Sequence, residues 1–344
     1  AQRNSLTQSL QLSQQEAARI LLQRRIARRN FTEYCRYIEP DEPPAQHHEL
    51  LCERLQDVAE GRIPNLMVFM PPGSAKSTYG SVRFPTWYLG NNPKNDLIQA
   101  SNTAELAQRF GRKTRNIVDS KRFQSLFDVK LAKDSQAKGQ WEVIPGEDES
   151  GGEYYAVGVD GTVTGRRADG GIIDDPVKGR EEADSERIRE KQWDWYLTDF
   201  CTRIKPGGFK IIIQTRWHEQ DISGRILPED WNGESGLITA RDGEQWYVLC
   251  LQAQAGENDP LGRKPGEWLW LEWFEGDFWP QTKRRMQPRD WSALYQQMPT
   301  ADEGIYFNRE DLKRYQLGDQ PEHLHRYISS DFAVTEKATA DYTA

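Results

Sequence analysis

Residues 66–78, LMVFMPPGSAKST, constrain the fold of this chain more than any other stretch. The apolar run Leu66 to Met70 predicts a short strand buried on both faces. Pro71, Pro72 and Gly73 stop it, and Lys76-Ser77-Thr78 opens the next element. Strand, tight turn and helix start, in that order, are the layout of a phosphate-binding loop. Such a loop works because successive backbone N–H groups face one anion and a helix N-terminus adds its dipole. Pro72, Gly73, Ser74, Ala75, Lys76, Ser77 and Thr78 would then wrap a nucleotide, with Lys76 on the β/γ-phosphates and the Ser77 hydroxyl on Mg²⁺. Met70 and Ala75 stand where this motif usually has glycines, so close backbone approach at Ala75 is the weak point of the match.

A chain of 344 residues can hold one large domain or two ordinary ones. No apolar run approaches the ~20 residues that span a bilayer, and the first residues lack the apolar core of a signal peptide. Cys35, Cys52, Cys201 and Cys250 are widely spaced, which argues against structural zinc or a disulfide framework and fits a reducing compartment. A net charge of −8 argues against tight static binding of nucleic acid, but not against transient grip through a local patch.

Strands and helices alternate along the chain. Ser13 to Glu16 reads as a capping box before a helix with Ile20, Leu21 and Ile26 on one stripe and Arg24, Arg25, Arg28 and Arg29 on the other face. Phe31 to Ile38 predicts a second helix and Ala45 to Glu60 a third, with Gln46 near its start, more simply an ordinary surface glutamine than a contact to an adenine. The helix after the phosphate loop should bend or end near Pro85. Asp96 to Ala100 predicts a strand, followed by a capping box at Asn102 to Glu105 and a helix with Leu106, Phe110, Ile117 and Val118 inward. Its outer face is basic: Arg109, Arg112, Lys113 and Arg115. Trp141 to Ile144 and Glu153 to Val159 alternate like a hairpin.

Ile172-Ile173 is a short apolar strand ending in Asp174 and Asp175. In a nucleotide hydrolase the first carboxylate at such a strand end holds Mg²⁺ through water, and the second polarises the attacking water. Two loop acids are common in any protein, but here an apolar strand precedes the pair and a phosphate loop lies upstream. Ser185 to Ile204 predicts one long helix with Ile188, Trp193, Leu197, Phe200 and Ile204 on one side. Phe209 to Ile213 is a buried-type strand ending in Gln214, Thr215 and Arg216. Polar residues at the C-terminal end of a central parallel strand point into the ligand crevice. Trp246 to Leu251 predicts one more strand. Residues 256–291 hold Trp268, Trp270, Trp273, Trp279 and Trp291 and read as an irregular connector whose aromatics clasp the sheet domain. Tyr327 to Asp331 predicts a new strand with an acid at its end. Every polar cluster falls at a strand end, which is the signature of a nucleotide-binding α/β sheet.

These residues carry a family resemblance. MPPGSAKS resembles the variant phosphate loop of the large terminase subunit of tailed bacteriophages, and TGRRADGGIIDDP resembles the run into its acidic strand end. IIIQTRWHEQD is similar to its coupling motif, WSALYQQMPTADEG to the stretch between its ATPase and nuclease domains, and SSDFAVTEKATADYTA to the first nuclease strand. Five pieces in the family's order cover the chain from about Phe31 onward. The resemblance implies an α/β fold: a P-loop (ASCE-type), mostly parallel sheet flanked by helices, followed by the start of an RNase-H-like nuclease domain. The expected layout is a helical lid segment at 1–60, an ATPase core at 61–255, a connector at 256–322 and the first nuclease strand at 323–344.

The resemblance further implies ATP and Mg²⁺ as cofactors and double-stranded DNA, the portal protein of a procapsid and the small terminase subunit as partners. It implies a homo-oligomeric ring docked transiently on the portal, in the host cytoplasm and without a membrane role. Residue by residue, Lys76 and Ser77 bind phosphate and Mg²⁺, Asp174 holds the metal, and Asp175 stands where most of these ATPases have a catalytic Glu. Gln214, Thr215 and Arg216 couple hydrolysis to movement, and Asp331 matches the first nuclease carboxylate. Arg166 or Arg167 supplies a catalytic arginine to a neighbouring subunit. Glu181 or Glu182 is the substitute if Asp175 is too short. The alternatives are a nucleotide-binding scaffold that assembles on the portal and hydrolyses little, and a helicase-like DNA motor, which should show a second ATPase-like lobe.

Overall fold

The computed structural model describes residues 2–146 and 150–300, with side chains from Gln14 onward. The described residues belong to one compact unit, Ala1–Ala301. Asp331 and the strand expected around it lie outside the described residues.

The order of elements is α1 (Gln2–Arg29), α2 (Phe31–Ile38), α3 (Gln46–Ala59), β1 (Asn65–Phe69), α4 (Phe84–Asn91), β2 (Leu97–Ser101), α5 (Ala104–Val118), α6 (Lys121–Leu126), β3 (Val129–Gln136), β4 (Gln140–Pro145), β5 (Glu153–Gly158) and β6 (Ala168–Asp174). Then follow α7 (Arg180–Asp184), α8 (Glu186–Trp195), β7 (Ile204–Gln214), α9 (Ile222–Ile226), β8 (Gly236–Thr239), β9 (Gln245–Cys250), α10 (Phe278–Arg285) and α11 (Pro288–Asp290). Among the described residues the strands form one nine-stranded sheet in the order β3-β4-β5-β2-β6-β7-β1-β9-β8. The central strands, β5 through β9, run parallel. The β3-β4-β5 pairings at one edge and β8-β9 at the other are antiparallel.

Central strands are buried on both faces, which is why they read as unbroken apolar runs. Leu66 and Val68 of β1 and Ile211 and Ile213 of β7 face one core with α2 and α3. Met67, Phe69 and Ile212 face the other, with Trp195, Phe200 and Ile222. The N-terminal ends of the strands are tied by charge. Lys205 Nζ donates to Asp96 Oδ2 at 3.0 Å and to Asp169 Oδ2 at 2.9 Å, and Asp96 Oδ1 accepts from Glu153 N at 3.0 Å. The opposite, C-terminal end is left free to carry polar side chains.

Several local expectations are corrected. α1 runs from Gln2 straight through Ser13, because Gln, Leu and Ala on both sides favour helix. Its Ile20, Leu21 and Ile26 are exposed, while Ala27 is buried. The N-cap of α5 is Thr103, whose hydroxyl accepts from Leu106 N, not Asn102. The buried stripe of α5 is Ala107, Gly111, Thr114 and Val118, with Leu106, Phe110 and Ile117 only half-buried. Near Pro85, where the sequence predicts a bend or an end, the helix changes type. A π-helical turn (Thr78–Arg83) leads into α4, and Pro85 sits in its first turn, where no N–H is needed. The helix expected over 185–204 is α8 followed by tighter and wider turns, which rotate Leu197 into solvent and Trp195, Tyr196 and Phe200 inward. The strand β3 escaped detection because it alternates weakly and is mostly exposed.

Candidate active site

β7 lies between β1 and β6, so one strand separates the phosphate loop from the acidic pair. At ~4.8 Å per strand, the ends of β1 and β6 stand ~10 Å apart. The residue after β7, Thr215, fills that gap. Lys76 Nζ donates to Thr215 Oγ1 at 2.9 Å and lies 3.7 Å from Asp175 Oδ1. Thr215 N donates to the same Asp175 oxygen at 3.2 Å, and its hydroxyl donates to Met70 O at 3.3 Å. Lysine, threonine and aspartate thus form one chain of contacts across three strand ends.

Asp174 is fully buried. Its Oδ1 accepts from the Ser77 hydroxyl at 3.0 Å, while Oδ2 is buried without a hydrogen-bond partner among the described residues. Burial, reinforced by the Asp175 carboxylate, pushes the Asp174 carboxyl up to about 7, against the opposing pull of Ser81, Lys76 and Ser77. An orphaned carboxylate oxygen beside a hydroxyl fits a hard divalent cation. Among the described residues no group of three or more His, Cys, Asp or Glu could hold a metal. Mg²⁺ here would therefore take Asp174 and Ser77 from the protein and complete its shell with water and phosphate oxygens.

Asp175 is pinned by its backbone. Its N–H donates to Ile213 O at 2.8 Å, and its carbonyl accepts from Asn102 N at 3.2 Å and Asn102 Nδ2 at 3.0 Å. Its φ of 45° is in the left-handed region, which turns the side chain out of the sheet towards Lys76. The loop has the same character: Gly73 has φ 81° and Ala75 has φ 59°. The backbone at Ala75 therefore takes the conformation that glycine supplies in the usual motif.

These groups wall a cavity of about 470 Å³ lined by Pro72, Gly73, Ala75, Lys76, Ser77, Thr78, Asn102, Asp175, Lys178, Thr215 and Trp217, among others. A basic lip, a helix-start loop and one facing carboxylate suit a phosphate chain and a water held in line with it.

A family profile described as terminase large subunit, T4likevirus-type, N-terminal, matches residues 67–314. The chain belongs to that family. No curated protein matches it. Similar solved structures include an ATPase-domain mutant of the large terminase of Thermus phage P74-26, at 16% identity and TM-score 0.46, covering 75% of this chain and 95% of that one. The large terminase of bacteriophage HK97 matches at 13% identity and TM-score 0.38, covering 58% of this chain and 44% of that one. A large terminase of a thermophilic bacteriophage, in complex with ADP, matches at 10% identity and TM-score 0.37, covering 71% of this chain and 52% of that one. The chain thus spans about half the length of these last two large terminases. The mostly parallel α/β sheet expected of the terminase family is the one found.

Not every residue singled out for this terminase chain meets at the cavity. Gln214 and Arg216 turn to the opposite face of the sheet from Thr215. Gln214 is buried, and Arg216 is buried in an ion pair with Asp221 (2.8 Å) against the rings of Phe69 and Trp231. Gln46 is exposed, and its amide donates to Leu261 O at 3.5 Å. Glu181 is exposed, and Glu182 accepts from Lys178 N at 3.0 Å, so neither lines the cavity. Arg166 pairs with Glu153 at 3.2 Å and stacks on Tyr155, and Arg167 is exposed. Both precede the first residue of β6, ~20 Å by strand length from Asp174 at its end. They cannot reach the cavity of their own subunit.

Sequence reasoning missed Asn102, Lys178 and Trp217 in the cavity wall and the His47–His48 pair behind the loop. Asn102 was within reach: it is the first polar residue beyond the C-terminal end of β2, like Asp175 after β6 and Thr215 after β7. The aromatic connector has its own core, with Trp279 donating to Leu269 O at 2.8 Å and stacking near Trp268. Trp270 and Phe274 reach the sheet domain, while Trp273 is exposed.

Proposed function

We propose that this chain is the ATP-hydrolysing motor part of a terminase large subunit that drives double-stranded viral DNA into a procapsid. The observation that carries this reading is the single contact chain Lys76–Thr215–Asp175 beside Ser77–Asp174. The phosphate loop and Lys76 bind the β- and γ-phosphates. Ser77 and Asp174 hold Mg²⁺, which screens phosphate charge when bound. Asp175 is the only carboxylate lining the cavity among the described residues, and it orients and deprotonates the attacking water. Thr215 touches both Lys76 and Asp175, so the strand end it belongs to senses whether the γ-phosphate is present. Arg216, next in sequence, passes that change to the far face of the sheet, where its N–H donates to Gln297 Oε1 at 3.2 Å.

Arg166, with Arg167 as the lesser candidate, acts on a neighbour's nucleotide, which makes turnover depend on ring assembly. Portal protein and small terminase subunit are the proposed partners, acting in the host cytoplasm, and the proposed nuclease with Asp331 completes the full protein. Among the described residues no helix is long and apolar enough to cross a membrane.

The test is DNA packaging with purified procapsids, ATP and the full-length subunit. Protection of DNA from added nuclease by the parent protein, lost in Lys76→Ala, supports the motor. ATP binding with no phosphate release on procapsids supports a scaffold instead.

A further inference from the structure

Ala75 holds a left-handed φ of 59°, which is unfavourable for any residue with a Cβ. Something outside the loop must keep it there. The carbonyl just before it, Ser74 O, accepts two hydrogen bonds, from His48 Nε2 at 3.0 Å and from His47 Nε2 at 3.3 Å. A carbonyl only accepts, so both imidazoles carry their proton on Nε2. For His48 this tautomer is fixed independently, because Nδ1 accepts from Ala45 N at 3.1 Å.

Both rings are buried and packed together, with centroids 3.8 Å apart. Trp270 of the connector lies 4.9 Å from His47 and 4.7 Å from His48, and Tyr79 stacks on His48 at 4.3 Å. On the same loop, the Phe274 ring fills the space where a Cβ at Gly73 would sit, 3.2 Å away. Two elements remote in sequence therefore brace the back of the phosphate loop.

In a trans peptide the C=O and the following N–H point in opposite directions. The carbonyl of the Ser74–Ala75 peptide is tied to His47 and His48, neither of which lines the cavity that Ala75 lines. We propose that His47 and His48 are positioning residues that aim the Ala75 N–H at the phosphates of a bound nucleotide, replacing the backbone freedom of the missing glycine. This rests on the reading of the cavity as a nucleotide site. Burial keeps both imidazoles neutral, pushing His47 down to about 3, with His48 beside it adding to the effect, and His48 down to about 4. Each therefore offers one N–H and no charge.

The test separates hydrogen bonding from packing. A glutamine side-chain N–H₂ stands close to where an imidazole Nε2–H stands, whereas phenylalanine keeps the ring and loses the donor. Affinities for Mg·ATP and Mg·ADP are measured by calorimetry on the 344-residue chain and on His47→Gln, His47→Phe, His48→Gln and His48→Phe, with Tm recorded for each. Each Phe variant is expected to bind both nucleotides roughly five- to tenfold more weakly, as for one lost hydrogen bond, whatever its Tm. Each Gln variant is expected to bind within about twofold of the parent. Parent-like affinity in the Phe variants, or equal losses in the Gln and Phe variants, overturns the proposal and leaves a packing role. Failure of the parent itself to bind nucleotide overturns the underlying reading as well, so the two failures are distinguishable.

Discussion

The Ser77 hydroxyl donates to Asp174 Oδ1 at 3.0 Å across the end of the sheet, and Asp174 Oδ2 beside it is buried without a partner among the described residues. A buried, half-satisfied carboxylate next to a second carboxylate is a poor choice for stability. It is a good choice for a cation that arrives with its ligand. Asp174→Asn keeps the shape and removes the charge. The nucleotide-free variant is expected to melt a few degrees higher than the parent, on the order of 1 kcal/mol. Its Mg²⁺ requirement for turnover is expected to rise at least about tenfold. An unchanged Mg²⁺ titration would place the cation elsewhere.

Asp175 faces Lys76 and Thr215 and has no carboxylate competitor in the cavity wall among the described residues. Asp175→Asn is expected to lower turnover by about 10²–10⁴ with ATP affinity little changed. Normal hydrolysis in this variant would return attention to Glu181 and Glu182, against their positions in the structure.

Arg166 sits at the far end of β6 from Asp174, so a catalytic role for it must be exercised on another subunit. Free subunits are expected to hydrolyse ATP weakly and procapsid-docked ones strongly. Arg166→Ala mixed with Lys76→Ala on procapsids is expected to recover part of the activity that each lacks alone, since an arginine finger is worth roughly 10³–10⁵ in rate. Full activity of Arg166→Ala and of Arg167→Ala on procapsids would pass the role to Arg109 and Arg112. Those two line a neighbouring cavity that shares Leu106 with the nucleotide cavity.

His47 and His48 make stability depend on pH. Both are held well below the ordinary value of 6.5, at about 3 and about 4, by burial, with Arg263 facing His47 and Arg83 facing His48. Above about pH 6.5 folded and unfolded states are both neutral, and the full stability is present. As pH falls, the unfolded chain takes up protons first, so stability is lost from about pH 6.5 down towards the folded values. Tm measured at pH 7 and pH 5 is expected to fall less in the His47→Gln, His48→Gln double variant than in the parent. Parallel declines would show that other groups control acid stability.

Much of the sheet was legible because its strands are short apolar runs punctuated by proline, glycine or acid. β1, β2 and β9 were each placed to within one residue on that signal, whereas β7 begins five residues before the apolar run that marked it. The order of strands was not legible, and it matters most: β7 between β1 and β6 is what brings Thr215 between Lys76 and Asp175. Periodicity identified α2 to its ends, Phe31 and Ile38, but misjudged α5 and α8, where small residues and a π-helical turn rotate the buried face. The acids and the lysine announced themselves by position at strand ends. The histidines did not, because what makes them matter is a carbonyl 26 residues away and an aromatic ring on a connector that closes back over the loop.

On the proposed reading, the cavity around Lys76 hydrolyses ATP. Phosphate release from Mg·ATP by docked subunits, compared between the parent and Lys76→Ala at equal folded concentration, tests it most directly. Lys76 is engaged with Thr215 and Asp175, and among the described residues it is the only lysine in the phosphate loop. The parent is expected to release phosphate steadily and Lys76→Ala none above background. Near-normal release by Lys76→Ala would contradict that reading.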